Sequence, residues 1–254
     1  MGARRRLDAE LVRRQLVASR AEAHAVVAAH RALVNGAVAD KPARLVAAGD
    51  ALTVTGPPAR FVGRGGDKLE AALDHFDIDV SGRRALDVGA STGGFTDCLL
   101  QRGAAHVIAL DVAYGELDWR IREHERVTVI ERTNARSITP DDLPYAADLI
   151  VSDVSFISLT KVLPAVLATA GPTFDCLAMV KPQFEVGKDR IGKGGVVRDL
   201  DLRREAVRTV AASVDAAVMG SAPSALAGPS GNRETFLWLA EPGRPGAVEE
   251  VDAW

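Results

Sequence analysis

Short apolar runs alternate with glycine-rich or acidic turns and with amphipathic stretches from Arg83 onward. Each run has few polar interruptions, which is typical of strands buried on both faces of a parallel sheet. Helices are predicted between some of these runs, at 95–102, 158–170 and 201–213, so the pattern predicts a doubly wound α/β sheet with helices on both faces. The predicted strands cover residues 85–88, 106–111, 127–130, 148–153, 176–181 and 236–239.

The first 55 residues have a different pattern, with two short helices followed by a small strand-rich part. Ser19 and Glu22 have the spacing of a capping box, which predicts the start of the second helix. The Asn35-Gly36 pair between two apolar pairs predicts a hairpin turn. We therefore expect a small domain at 1–56, a linker at 57–64, a larger domain at 65–241 and a flexible tail at 242–254.

The composition of the chain narrows its class. Its 254 residues are 47% hydrophobic and 26% charged, which is enough to bury a core. No apolar run approaches the ~18–20 residues of a membrane-spanning helix, and the basic start lacks the apolar segment of a signal peptide. Cys98 and Cys176 are too few for a disulfide framework or a cysteine-rich zinc site. We expect a cytoplasmic protein without stable membrane association.

Charge is distributed unevenly along the chain. Up to Gly66 there are 11 Lys and Arg against 5 Asp and Glu, a net charge of +6, and the remainder has 20 against 29, a net charge of −9. A basic amino-terminal part joined to an acidic body indicates that the small part contacts a polyanion. A solvated surface of uneven charge is the alternative interpretation.

A glycine-rich turn follows the first strand of the larger domain, where parallel sheets bind ligands. A dinucleotide fingerprint would need glycine where Ser91 stands. The Gly-x-Ser-x-Gly pattern of a hydrolase is present, but that chemistry needs a late histidine, and the last one is His124. The third interpretation is binding of S-adenosylmethionine, which has no phosphate and therefore does not need the missing glycine. Asp87 and Asp111, at the ends of the first two strands, favour this third interpretation.

The residues after Asp153 narrow the choice of methyl acceptor. No Pro-Pro-aromatic group stands there to hold an amino nitrogen, and neither cysteine follows a proline as a cytosine-attacking nucleophile typically does. An oxygen acceptor is therefore favoured. Lys181 ends a predicted buried strand at the same edge of the sheet, and a neutral lysine amine can loosen a hydroxyl proton. A lysine that only extends its amine to solvent is the alternative.

Several longer motifs occur in order along nearly the whole chain. They are Ser19-Arg20, Val34-Asn35-Gly36, Gly49-Asp50 and the segments 62–69, 87–96, 131–134, 152–156, 181–185 and 231–234. Together they resemble the TlyA family of ribosomal RNA 2'-O-methyltransferases, historically labelled haemolysins. This family joins an S4-like RNA-binding domain to an FtsJ-like catalytic domain. The resemblance implies a small S4-like domain followed by a seven-stranded Rossmann-like sheet that binds S-adenosylmethionine.

The resemblance also implies roles for particular residues. The catalytic set of the family falls on Lys68, Asp153, Lys181 and Glu234, with Lys181 as the base or activator. Two nearby lysines lower each other's pKa, and two carboxylates orient the lysines and partly offset their positive charge. No metal is required. The cofactor contacts fall on Asp87, Gly89, Ser91, Thr92, Gly93, Gly94, Phe95, Asp111, Val112, Thr133, Asn134 and Asp153.

RNA contacts are expected from both parts of the chain. The segment Gly187–Arg198 is basic and glycine-rich, and it could close over RNA, although a merely flexible loop would look the same. Ribosomal RNA or ribosomal subunits are the expected partners, and a monomer is favoured. The expected RNA-binding residues are Arg4, Arg6, Arg14, Ser19, Arg20, Arg31, Arg64, Lys188, Lys193 and Arg198.

The implied activity is 2'-O-methylation of ribose, on cytidine, in 16S or 23S rRNA or both. Two rivals come from other classes: a membrane-active haemolysin and an RNA-binding protein without catalysis. The early helices are poor in large apolar anchors, which argues against membrane insertion. The S4-like part departs from the family at Gln15 and His30, where glycine is expected, so its helix ends would need a left-handed backbone from residues that adopt it at a cost.

Overall fold

The computed structural model describes residues 4–17, 19–56, 59–228 and 230–253. Two compact units make up the chain, residues 1–63 and 64–254. Their boundary falls inside the predicted linker. Pro57 and Pro58 of that linker, and Trp254 of the predicted tail, lie outside the described residues. Each unit has its own buried apolar cluster.

The first unit is built from short helices and strands. They are β1 (Arg5–Arg6), α1 (Leu7–Arg13), α2 (Arg20–Ala28), β2 (Ala32–Val34), β3 (Ala37–Val38), β4 (Leu45–Val46) and β5 (Leu52–Val54). β2 lies between β3 and β5 in an antiparallel sheet, and β1 pairs with β4. The Ser19 hydroxyl accepts a hydrogen bond from the Glu22 amide at 3.1 Å, and Asn35 and Gly36 turn the chain between β2 and β3. The predicted helix start and hairpin are confirmed.

Both helices of the first unit end on a left-handed residue that is not glycine. Gln15, just beyond α1, has a φ of 58°, and His30, just beyond α2, has a φ of 56°. The Leu16 amide donates to the Leu11 carbonyl at 3.0 Å, and an equivalent bond follows α2, as in the Schellman motif. The helix ends therefore keep the geometry that glycine usually provides, at a conformational cost.

The second unit alternates strands and helices. Its elements are α3 (Gly65–His75), β6 (Arg84–Val88), α4 (Gly94–Gln101), β7 (His106–Leu110), α5 (Trp119–Arg122), β8 (Val127–Ile130), β9 (Ala147–Ser152), α6 (Leu163–Leu167), β10 (Ala170–Val180), α7 (Pro182–Glu185), α8 (Leu200–Ala211), β11 (Ala217–Pro223) and β12 (Thr235–Ala240). The sheet has seven strands in the order β11-β12-β10-β9-β6-β7-β8. β8, β7, β6, β9 and β10 are parallel, and β12 is antiparallel to both of its neighbours. The predicted α/β sheet is confirmed.

The structure departs from the sequence prediction at β11, α6 and β10. β11 is absent from the prediction, and the helix expected at 158–170 is shorter: a 3₁₀ turn covers Leu159–Lys161 and α6 begins only at Leu163. Pro164 explains the late start, because proline is tolerated in the first turn of a helix but not further inside it. β10 starts at Ala170, six residues earlier than the predicted strand at 176.

Helices cover both faces of the sheet. Leu86 and Val88 of β6 share one apolar cluster with residues of α6 and α8. Neighbouring residues of a strand point to opposite faces of the sheet. On the other face, α4 contacts β6 and β7 and packs against α3. Val251 and Ala253, which fall in the predicted tail, are buried in the same apolar cluster as Leu86 and Val88. The core of this unit therefore includes residues beyond 241.

Among the helices that the structure describes, none combines the length and apolarity that crossing a bilayer requires. The longest of them, α8, has 12 residues.

Candidate active site

The carboxyl edge of the parallel strands gathers the four residues predicted to be catalytic. Asp153 directly follows β9, and Lys181 directly follows the neighbouring strand β10. Glu234 directly precedes β12, whose first residue, Thr235, pairs with Val180 at the end of β10. Because β12 runs opposite to β10, its start reaches the same edge at which β10 ends.

Lys181 makes the first of two ion pairs at this edge. Its Nζ lies 2.5 Å from Asp153 Oδ1 and donates a hydrogen bond to Ser155 Oγ at 2.9 Å. Lys181 is buried, whereas Ser155 is exposed. The amine is therefore held between a carboxylate and a hydroxyl at the end of the strand.

Lys68 makes the second pair from the first turn of α3. Its Nζ lies 2.5 Å from Glu234 Oε2, and both side chains are almost inaccessible, 9% and 2% exposed. The same Nζ is 3.8 Å from the sulfur of Met179, two residues before Lys181. The structure thus places two lysine–carboxylate pairs around the last residues of β10.

Asp87, near the end of β6, is a buried carboxylate with one unsatisfied oxygen. Its Oδ2 accepts a hydrogen bond from Thr96 Oγ1 at 2.7 Å. Among the residues that the structure describes, its Oδ1 has no hydrogen-bond partner. Burial raises the pKa of Asp87 to about 7, and the Thr96 bond opposes that rise. An inaccessible carboxylate with an unpaired acceptor oxygen suits a cationic ligand group.

The turn after β6 approaches the neighbouring loop closely. Gly89 has a φ of 87°, and a Cβ added there would lie 3.0 Å from the Asp153 carbonyl oxygen, so a side chain would be strained and tightly packed. Ser91 has a φ of 48°, and its amide donates to Asp111 Oδ2 at 2.7 Å. Asp111 also accepts the Ala113 amide at 2.8 Å. The tight turn and the second acidic residue are thereby fixed to each other.

The other predicted cofactor contacts fall into two groups. Thr92, Gly93 and Gly94 lead into α4, and the Phe95 side chain is buried against Phe236 at 6.1 Å between ring centroids, so it packs in the core. Val112 is exposed after β7, and Thr133 and Asn134 follow β8. The Thr133 amide donates to the Asp111 carbonyl at 3.0 Å. These strand ends are neighbours along one edge of the sheet.

Arg6 and Arg20, two of the expected RNA-binding residues of the first unit, are both bonded to the buried carboxylate of Asp8. Asp8 Oδ2 accepts hydrogen bonds from Arg6 and Arg20, each at 2.8 Å, and lies 3.0 Å from His24 Nε2. Arg6 and Arg20 hold the pKa of Asp8 well below its usual range, with help from His24. The guanidinium groups stay about half exposed, and this arrangement presents them to solvent.

Arg14 and Arg31 have internal partners that give them a structural role. Arg14 pairs with Glu10 at 2.8 Å and donates to the Asp50 and Ala48 carbonyls at 2.7 and 2.9 Å. Arg31 donates to the Thr55 carbonyl at 2.6 Å. Ser19 caps α2 through its hydroxyl. The remaining expected RNA-binding residues are exposed: Arg4, Arg64, Lys188, Lys193 and Arg198.

Sequence reasoning did not assign a role to Ser155, Phe156 or Asn232. Ser155 contacts the Lys181 amine, and Phe156 beside it is 91% exposed with a φ of 65°, a strained conformation for an aromatic residue. Asn232 is buried close to Glu234 in the chain. All three belong to the motifs that carry the family resemblance, so the available signal was their position within three residues of one predicted to be catalytic.

Metal ligands do not gather in the described residues: no group of three or more His, Cys, Asp or Glu side chains is arranged to hold an ion.

Comparison with known proteins identifies the family. The FtsJ-like methyltransferase family model matches residues 61–241. The chain is 51% identical over 243 residues to the 16S/23S rRNA (cytidine-2'-O)-methyltransferase TlyA of Mycobacterium tuberculosis, covering 94% of this chain and 91% of the relative. The chain belongs to the TlyA family of FtsJ-like methyltransferases. This TlyA-family chain is also 39% identical over 206 residues to hemolysin A of Brachyspira hyodysenteriae, covering 80% and 84% of the two chains.

A solved structure resembles this TlyA-family protein over most of its length. The protein from Streptococcus thermophilus, described as a hemolysin, is 36% identical, covers 96% of this chain and 91% of its own, and has a TM-score of 0.76. A structure of an S-adenosylmethionine-dependent methyltransferase from Listeria monocytogenes, at 14% identity and a TM-score of 0.50, is similar in fold alone. The predicted family and fold class are confirmed, and the S4-like character of the first unit stays a prediction.

Proposed function

We propose that this TlyA-family protein transfers a methyl group from S-adenosylmethionine to the ribose 2'-hydroxyl of cytidine in 16S rRNA, 23S rRNA or both. The observation that carries the proposal is the Lys181–Asp153 pair beside the Lys68–Glu234 pair at the end of β10. The 51% identical Mycobacterium tuberculosis relative, named for this reaction, supports the choice of acceptor.

The cofactor fits the residues along the carboxyl edge. When bound, S-adenosylmethionine supplies an electrophilic methyl group on a positively charged sulfur. We assign Asp87, whose Oδ1 lacks a partner among the described residues, to the cationic amino acid end of the cofactor. Asp111, fixed by the Ser91 and Ala113 amides, is assigned to the ribose, and Val112, Thr133 and Asn134 to the adenine.

The protein's chemical task is to take up the proton that the 2'-hydroxyl loses. Lys181 Nζ, in its neutral form, accepts this proton, and the Asp153 carboxylate at 2.5 Å stabilises the ammonium that results. Ser155 Oγ fixes the direction of Nζ from the other side at 2.9 Å. Once Lys181 has taken up the proton, the site holds two cations, Lys68 and Lys181, against the two carboxylates of Asp153 and Glu234.

The RNA partner accounts for the basic groups outside the catalytic centre. The first unit, which we assign to the S4-like class, presents Arg6 and Arg20 over Asp8, and the second unit adds exposed cations at Lys188, Lys193 and Arg198. Such groups contact phosphates and hold a structured RNA by its backbone. We place the protein in the cytoplasm, where ribosomal subunits are found, and propose that it acts as a monomer.

The test is transfer of labelled methyl from S-adenosylmethionine to purified 30S and 50S subunits, followed by digestion to locate the label. We expect label on a ribose 2'-oxygen of cytidine with the wild type. Lys181→Ala should lower the rate by about 10²–10⁴-fold, the usual contribution of a general base. Lys161→Ala, an exposed lysine in the second unit, is the matched control and should leave the rate unchanged.

Two results would overturn the proposal. One is the absence of label on subunits, assembled ribosomes and naked rRNA when binding of the cofactor has been demonstrated, which would favour the RNA-binding protein without catalysis. The other comes from the name hemolysin, carried by two similar proteins. Dose-dependent leakage of liposomes caused by the wild type, and undiminished in Lys181→Ala, would favour membrane lysis instead.

A further inference from the structure

Asn232 is buried, 1% exposed, and its side chain joins two separate segments of the second unit. Its Oδ1 accepts a hydrogen bond from the Val197 amide at 2.9 Å, and its Nδ2 donates to the Gly195 carbonyl at 2.8 Å. Both bonds reach across more than 30 positions of the sequence, to backbone groups of one segment. The two ends of the amide are therefore used as donor and acceptor at the same time.

The segment that Asn232 holds is the basic, glycine-rich stretch from Gly187 to Arg198. After a short 3₁₀ turn at Lys188–Arg190, residues 191–199 have no helix or strand. Gly194 and Gly195 both have positive φ values, 79° and 77°. Backbone groups in such a stretch lack regular partners, so the side chain of Asn232 supplies bonds that secondary structure does not. The exposed Lys193 and Arg198 stand on either side of the two anchored groups.

On its other side, Asn232 shapes the turn that adjoins Glu234. The Asn232 carbonyl accepts the Gly228 amide at 2.9 Å, and the Gly231 amide donates to the Gly228 carbonyl at 2.8 Å. A Cβ added to Gly228 would lie 2.6 Å from Glu234 Oε1, so this turn forms the wall beside the carboxylate. The other oxygen of that carboxylate holds Lys68. Gly228 of this turn and Lys68 therefore lie against different oxygens of the Glu234 carboxylate.

We propose that Asn232 is a positioning residue that couples the segment 187–198 to the Lys68–Glu234 pair, so that RNA phosphates bound by this segment help to align the catalytic carboxylate. The inference rests on the proposed function, because it takes RNA to be the ligand of the segment. Asn232 touches neither RNA nor cofactor in this role. It transmits the placement of one segment to the other through backbone hydrogen bonds.

The chemistry of the side chain explains why an amide is needed. Aspartate would keep an acceptor for the Val197 amide but would lose the donor and place a charge beside the Gly195 carbonyl. Alanine would lose both bonds and leave the amide of the buried Val197 without its partner. We therefore expect Asn232→Ala to have the larger effect on coupling and Asn232→Asp to have a smaller one.

The first measurement is the single-turnover rate of methyl transfer to saturating ribosomal subunits at saturating cofactor. If the wild type transfers no methyl group, the proposed function has failed and the coupling has no reaction to act on. With an active wild type, we expect Asn232→Ala to lower this rate by about 10–100-fold, the scale of a small misplacement of a catalytic group. Cofactor affinity should stay within about twofold, because Asn232 lies outside the assigned cofactor contacts.

Two control variants separate positioning from a merely structural role. Thr169→Ala also removes a buried side-chain hydrogen bond, to the Val166 carbonyl at 2.7 Å, but far from the site in the chain. It should lower the melting temperature without changing the single-turnover rate. Gly228→Ala pushes on Glu234 without touching the anchored segment, so it should lower the rate and leave RNA affinity unchanged.

The second measurement combines Lys193→Ala with each form of residue 232. In the wild type, Lys193→Ala should weaken RNA binding and also slow the single-turnover step. In Asn232→Ala, the same change should still weaken RNA binding but should have little further effect on the step. In Asn232→Asp, its effect on the step should lie between those in the wild type and in Asn232→Ala. A rate in both Asn232 variants equal to that of the wild type, or effects of Lys193→Ala on the rate that are fully additive, would overturn the proposal.

Discussion

The two units differ in the exposure of the basic side chains that pair with their buried carboxylates. In the first, Asp8 is completely buried while its partners Arg6 and Arg20 remain 48% and 60% exposed. In the second, Lys68 and Glu234 are buried together. A carboxylate beneath exposed guanidinium groups orients them outward and leaves them accessible to phosphate. A pair that is buried on both sides offers nothing to a polyanion, but each charge acts strongly on its neighbours because water is excluded.

Both arrangements pair a basic side chain with a carboxylate, and they differ in whether the basic side chain is exposed or buried. On the proposed function, the first arrangement organises cations for contact with RNA, and the second holds charges for methyl transfer. Substitutions in either arrangement can test this contrast, and those in the buried pair are expected to have the largest effect.

Removal of one partner from the buried pair should cause the largest loss of stability. Lys68→Met leaves the Glu234 carboxylate buried without a cation, and we expect the free energy of unfolding to fall by about 3–5 kcal/mol. Lys68→Met combined with Glu234→Gln removes both charges and should recover most of this loss. Arg20→Ala, from the exposed arrangement, should cost about 0–1 kcal/mol. Urea unfolding followed by circular dichroism measures all three, and equal losses in Lys68→Met and Arg20→Ala would refute the contrast.

The buried Asp87 should make stability and cofactor binding respond to pH in opposite directions. Burial raises its pKa from the usual 3.8 to about 7, so the folded state binds more protons than the unfolded state over this window. Stability should therefore fall as pH rises from about 4 to about 7, by up to about 1.4 kcal/mol per pH unit. The affinity for S-adenosylmethionine should rise over the same window, because its cationic end favours the ionised carboxylate.

Asp87→Asn is the matched variant, since it keeps the shape of the side chain and removes its titration. Calorimetric titration with S-adenosylmethionine across the neutral pH range should then show a weak and nearly constant affinity. An affinity that rises with pH as steeply in Asp87→Asn as in the wild type would show that another group is responsible.

The exposed arginines above Asp8 should contribute to the salt dependence of the affinity for rRNA. Arg6→Ala combined with Arg20→Ala should reduce the slope of log affinity for rRNA against log salt concentration by about 2, one for each phosphate that is no longer bound. Arg14→Ala should change this slope little and reduce stability instead, because Arg14 is bonded to Glu10 and to backbone carbonyls. Filter binding across a salt series distinguishes them. Equal slopes in Arg14→Ala and in the double variant would contradict the assignment.

The smallest expected effect concerns the left-handed helix ends. Gln15→Gly and His30→Gly should each stabilise the first unit by about 0.5–1 kcal/mol, because glycine adopts a positive φ without strain. The gain is limited by the greater freedom of glycine in the unfolded chain. Thermal unfolding measures it, and a loss of stability in either variant would mean that the side chain makes a favourable contact that outweighs the strain.

Much of the fold could be predicted because its signals are local. Short, largely apolar runs marked β6, β7, β8 and β9, and the Asn35-Gly36 pair marked the hairpin of the first unit. β11 could not be found in this way, since its sequence contains Gly220 and ends at Pro223 and so lacks an unbroken run. The late start of α6 depended on Pro164, whose effect depends on which turn of the helix it occupies.

The candidate site could be predicted only in part. The sequence placed Asp153 and Lys181 at strand ends, but their pairing with each other, and that of Lys68 with Glu234, depends on which strands are neighbours. The roles of the arginines show the same limit, since Arg6 and Arg14 look alike in sequence and differ in their partners. Asn232 is the clearest example, because its bonds join segments whose proximity no local pattern reveals.

The reversed direction of β12 has a consequence for the order in which the site is completed during synthesis. Glu234 reaches the edge of the sheet only through the strand that begins at Thr235, near the end of the chain. Chains begin to fold while they are being translated. A nascent chain that already contains β10 therefore has both members of the Lys181–Asp153 pair, but Lys68 still lacks its carboxylate. On the proposed function, the catalytic site is complete only when β12 has been made, so a copy that lacks this strand cannot methylate the ribosome that is producing it.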